Sequence, residues 1–85
     1  MTRDGRLIRL SIAAARQEID NIDTGILALL RVRFNVSQQV QKTRIGSGGA
    51  RVDLDREADI RQKYRSFFGQ SGDEVANAVL RLCRS

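Results

Sequence analysis

The stretch from Ile8 to Arg44 constrains this chain more than any other. Read as a heptad, its a and d positions are Ile8, Ile12, Ala15, Ile19, Ile22, Ile26, Leu29, Arg33, Val36 and Val40. Nine of the ten are apolar and the steps alternate between three and four, which specifies one long amphipathic helix. A helix from Ile8 to Ile45 is roughly 55 Å long at about 1.5 Å per residue. A compact domain of this size has a radius of gyration of about 12 Å. The helix therefore overhangs its own domain, and a second copy of the chain is the natural cover for its seam. The exception on the seam is Arg33. A permanently charged guanidinium on a buried line requires an anionic partner.

The chain has 85 residues, enough for one small domain spanning residues 1–85. Apolar residues make up 41% and charged ones 29%, the balance of a folded soluble protein. There is no proline to interrupt a helix, and aromatics are confined to Phe34, Tyr64, Phe67 and Phe68. No run of about 18 apolar residues is present, so no membrane span is expected. The first residues, Met1 to Arg6, do not lead into a signal-peptide core, and a cytoplasmic location is expected. With no histidine and a single cysteine, Cys83, there is no internal disulfide and no metal constellation; Cys83 reads as a small apolar residue.

The net charge is +5, and thirteen of the fifteen cations are arginine. A basic surface attracts nucleic acid, anionic lipid or anionic metabolites, and arginine favours two-point recognition of carboxylate or phosphate. Acids are interleaved with the cations along the helices, and no stacking aromatics accompany them, which disfavours nucleic acid.

The first helix starts between Arg6 and Ser11, with Gly5 or Ser11 as cap, and stops at Gly46-Ser47-Gly48-Gly49. Asp53-Leu54-Asp55-Arg56-Glu57 opens a second helix capped by Asp53 or Asp55, with Ile60, Tyr64 and Phe67 or Phe68 as its apolar stripe. That helix ends at Gly69. Ser71 and Glu74 have capping-box spacing for a third helix burying Val75, Val79, Leu82 and Ala78. The expected fold is all-α: one long, one medium and one short helix in an intertwined homodimer.

Arg33 and Arg44 are eleven residues apart, so they differ by about 20° around the helix and lie roughly 16 Å apart along one face. Their side chains can converge on a small anion between them. Arg16, seventeen residues before Arg33, is about 25 Å away and cannot join that site within one chain. In an antiparallel dimer it reaches the partner's site. Arg56 adds a cation on the second helix, Glu57 adds an acceptor for a hydroxyl, and Asp53 sits where it can hold an arginine or order the loop. The plain alternative for Asp53, Arg56 and Glu57 is a set of surface ion pairs, each contributing about 0–1 kcal/mol.

These residues resemble a known family. The segments Ala15-Arg16-Gln17-Glu18-Ile19-Asp20-Asn21-Ile22-Asp23 and Ile26-Leu27-Ala28-Leu29-Leu30-Arg31-Val32-Arg33 are similar to the first helix of the all-helical chorismate mutases. Gln41-Lys42-Thr43-Arg44 looks like the end of that helix, and Asp53-Leu54-Asp55-Arg56-Glu57 like the Arg-Glu entry to the second. The spacing from Arg16 through Glu57 fits without gaps, and the Ser-Gly-Gly turn and short third helix look most like the small actinobacterial type. The resemblance implies an intertwined helical dimer with two equivalent sites, rearranging chorismate to prephenate in a pericyclic step of the shikimate pathway, without a cofactor. It implies that Arg33 and the partner's Arg16 hold carboxylates, that Arg44 contacts the ether oxygen and a carboxylate, and that Glu57 takes the ring hydroxyl. Asp53 and Arg56 would support the substrate or the loop.

Two departures stand out. Many members carry lysine where this chain has Arg44. Longer members also supply a polar residue from the last helix to the ether oxygen, and this sequence stops at about Arg84-Ser85, before that turn, so no residue carries over. The resemblance therefore implies a mutase that is weak in isolation, with a heptulosonate-phosphate synthase as the partner that orders this end. Two other functions compete: isochorismate-pyruvate lyase on the same scaffold, and a non-catalytic basic helical module for binding or regulation.

Overall fold

The computed structural model describes residues 5–49 and 52–84, with side chains from Ser11 onward. The side chain of Ile8, the first seam position, lies outside the described residues. Helix α1 runs Gly5–Gly46 and helix α2 runs Leu54–Cys83. The all-α expectation holds, and the start of α1 falls at the glycine end of the expected range, with Ser11 inside the helix.

The count of three helices is corrected to two. The expected second and third helices form one element, α2, interrupted only by non-helical backbone at Phe68 and Gly69. The interruption is a reversal of direction. Arg84 and Glu57, 27 positions apart, are in hydrogen-bonding contact. A straight helix would separate them by about 40 Å. Gly69 makes the reversal with φ +62°, a conformation that a side chain disfavours. No linker intervenes, because two residues suffice to turn the chain. Ser71 and Glu74, expected to cap a third helix, accordingly both lie inside α2, just past the reversal at Gly69.

The two arms of α2 approach closely. A Cβ placed on Gly72 would lie 2.2 Å from the carbonyl oxygen of Tyr64, so only glycine fits. Arg65 and Asp73 pair across the turn at 3.1 Å. Asp53 is the N-cap of α2, its Oδ1 accepting from the Arg56 amide at 3.1 Å. At the other junction, the Ser47 amide donates to the Thr43 carbonyl at 3.0 Å and the Gly48 amide to Ile45 at 3.0 Å, which closes α1 where the glycines predict.

The core is small. Ile60, Ala76, Val79, Leu80 and Cys83 are its buried apolar residues, and Cys83 is free and fully enclosed. This corrects the register of the far arm: Val75 and Leu82, expected inside, are about half exposed, and Ala78 is exposed too. Val79 is buried as expected, but its buried neighbours are Gly72, Ala76, Leu80 and Cys83, one position round the helix from those expected. Phe67 and Phe68, one of which was expected on the inner stripe, are 75% and 72% exposed.

On α1 the residues turned toward α2 are Leu30, Phe34, Ser37, Gln41 and Arg44, all half-buried or buried. This line runs beside the heptad seam. The seam itself stays open: Ile12, Ile19, Ile22, Ile26, Leu29, Val36 and Val40 are each between 41% and 71% exposed. The molecule measures 64 × 24 × 16 Å with a radius of gyration of 18.6 Å, so α1 overhangs as its length requires. Among the described residues, no helix is long and apolar enough to cross a membrane.

Candidate active site

Arg33 stands half-buried in the middle of α1, its Nη1 donating to the Ser37 hydroxyl one turn later at 3.5 Å. Opposite it on α2, Arg56, Asp59, Ile60, Lys63 and Tyr64 complete a depression of about 280 Å³. Its apolar floor is Ile60, and three cations, Arg33, Arg56 and Lys63, surround it with one acid, Asp59. This suits a small organic anion with an apolar ring.

Arg44 lies eleven residues further on, where Val36, Gln39, Val40 and Thr43 line a second groove of about 300 Å³. Within one chain Arg33 and Arg44 thus face neighbouring depressions. Arg44 is half-buried, and its Nη1 is 3.7 Å from Asp53 Oδ2, so Asp53 both caps α2 and holds an arginine at the mouth of the interhelical loop.

Glu57 is the most deeply placed of the expected site residues, at 3% exposure. Arg84 reaches it from the end of α2, Nη2 to Oε1 at 3.4 Å and Nε to Oε2 at 3.3 Å. Arg61, one turn along, has Nη1 3.9 Å from Oε1. Arg16 is exposed on the overhanging half of α1, far from these groups. The structure therefore places Arg33, Arg44, Asp53, Arg56 and Glu57 along one α1–α2 junction and leaves Arg16 outside it.

Three polar residues of this junction were not anticipated: Ser37, Gln41 and Arg84. Ser37 and Gln41 are buried at 5% and 4%. The signal for them is the series Leu30, Phe34, Ser37, Gln41, Arg44, whose steps of four and three trace a second inward line. Among the described residues there is no cluster of His, Cys, Asp or Glu that could hold a metal ion.

Comparison with known proteins settles the family. The model of the family described as chorismate mutase type II matches residues 15–84. The chain belongs to this family. It is 41% identical over 73 residues to the intracellular chorismate mutase of Mycobacterium tuberculosis, covering 86% of this chain and 69% of that one. The intracellular chorismate mutase of Mycolicibacterium smegmatis is 38% identical over 69 residues, 81% of this chain and 66% of that protein. Among solved structures, a chain of the non-covalent complex of DAHP synthase and chorismate mutase from Corynebacterium glutamicum, with bound transition state analog, superposes with a TM-score of 0.86. That chain is 36% identical, and the match covers 92% of this chain and 94% of that one.

Proposed function

We infer that this chain is a chorismate mutase, an isomerase that converts chorismate to prephenate. In that reaction the ether C–O bond of the enolpyruvyl group breaks as a C–C bond forms across the ring. No proton moves and no covalent intermediate arises, so catalysis consists of holding the reactive conformer and stabilising the charge that builds on the ether oxygen. The observation that carries the reading is Arg33, a half-buried cation among apolar seam residues that opens into a cationic depression of substrate size. We assign Arg33 and Arg56 to the substrate carboxylates, Arg44 to the ether oxygen, and Glu57 to the ring hydroxyl. Asp53 orients Arg44. The net charge of +5 favours capture of a dianion at long range.

The open seam supports an intertwined homodimer, in which the overhanging half of α1 carries Arg16 into the partner's site. The dimer also covers the apolar side chains left exposed along α1. The family and the superposition on a synthase–mutase complex support a heptulosonate-phosphate synthase as a further partner, and a cytoplasmic location, where both enzymes would share a pathway. Activity is tested by following chorismate loss and prephenate formation, with and without that synthase. Prephenate is the expected product, formed faster with the synthase present. Pyruvate released from isochorismate without any prephenate from chorismate would instead identify a lyase. Equal mutase rates with and without the synthase would remove the partner.

A further inference from the structure

At the end of α2, two polar residues that the assigned roles do not use, Gln41 and Arg84, join Glu57 in one cluster. Gln41 Nε2 donates to the Arg84 carbonyl, and the Arg84 guanidinium rests on Glu57. Arg84 itself has left-handed backbone, φ 53°, which costs a non-glycine residue energy and so needs support. That support comes from Gln41 and from the Arg84 amide, which donates to the Leu80 carbonyl. One arginine is thereby fixed by its main chain to both helices and aimed at one carboxylate.

The carboxylate is held unevenly. Arg84 Nη2 donates to Oε1, and Arg61 Nη1 approaches the same oxygen. Oε2 lies 3.3 Å from Arg84 Nε but, among the described residues, has no hydrogen-bond partner although it is buried. A buried carboxylate is retained in a fold when a cation compensates its desolvation. An acceptor oxygen buried beside that cation and still unfilled is suited to a hydroxyl donor from a ligand. We infer that Arg84 is a positioning residue for the site: it grips Glu57 through Oε1, is itself anchored by Gln41, and leaves Oε2 to accept the substrate's ring hydroxyl. This rests on the mutase reading and extends it to a residue outside the assigned site.

The inference separates from two simpler roles by experiment. Two cyclic ether dicarboxylates, one with a ring hydroxyl and one without, are titrated by calorimetry into wild type and Arg84→Ala. Arg84→Ala is expected to weaken the hydroxylated ligand about tenfold and to leave the deoxy ligand unchanged. Equal weakening of both would make Arg84 a general anion contact or a structural staple and overturn the inference. So would unchanged or tighter binding of the hydroxylated ligand, because the guanidinium would then be idle or a competitor for Glu57. Helix content by circular dichroism is checked first; if Arg84→Ala loses it, Arg84→Gln, which keeps the chain length, takes its place. Chorismate turnover by wild type is measured separately. Its absence would remove the proposed function, whereas turnover with a failed calorimetric contrast removes only the role of Arg84.

Discussion

Asp53 serves two purposes that substitution can divide. Its Oδ1 caps α2 through the Arg56 amide and its Oδ2 faces Arg44. Asp53→Asn keeps a competent cap. It should leave thermal stability almost unchanged while lowering mutase turnover through a less constrained Arg44. Asp53→Ala removes both functions and should cost about 1 kcal/mol of stability in addition, read from denaturant unfolding. The ion pair adds little to that figure, because both partners are partly exposed and solvent screens them. For Arg33, loss of a charge that binds and orients the substrate should lower kcat/KM by about 10²–10³, the range for removing one preorganised electrostatic contact. Wild-type turnover surviving in Arg33→Ala would sink the site assignment. Arg33 was legible in the sequence because it breaks an otherwise apolar series. Arg84 was not, because its role depends on a chain reversal that brings residues 27 positions apart into contact.

At the level of helices, the long seam, the glycine stop and the Asp53 cap all followed from local chemistry. The misread register of the far arm has a local cause. The far arm of α2 has apolar residues on two adjacent lines, Val75 with Leu82 and Ala76 with Val79, Leu80 and Cys83. Periodicity alone cannot rank two such lines. The close crossing at Gly72 decides between them, since it presses the line of Ala76 and Leu80 inward and leaves the other outside. Gly72→Ala tests this. The added Cβ would meet the Tyr64 carbonyl at 2.2 Å, backbone that cannot swing aside. A loss of about 1–3 kcal/mol is expected from such overpacking, measured by urea unfolding. The same substitution at Gly25, whose Cβ would meet nothing within 4 Å, should stabilise α1 by up to about 1 kcal/mol.

Across the whole molecule, the proposed sharing of the site between two chains makes a complementation test available. Arg16→Ala and Arg33→Ala homodimers should each be nearly inactive. In a mixed dimer of the two, one site carries both substitutions and the other carries neither, so activity should reappear on mixing and reach about one half per mixed dimer. No recovery after subunit exchange, with mixed dimers verified by mass, would place Arg16 outside the site. Separately, Ile22→Asp on the open seam should shift the sedimenting species from dimer to monomer and abolish turnover.

The overhang of α1 has a thermodynamic corollary. In the proposed dimer its isoleucines, exposed in the single chain, are covered by the second copy, so part of the free energy that keeps the helix folded would be supplied by mass action. The melting temperature should therefore climb with protein concentration, and dilution alone should fray the end of α1 that carries Arg16.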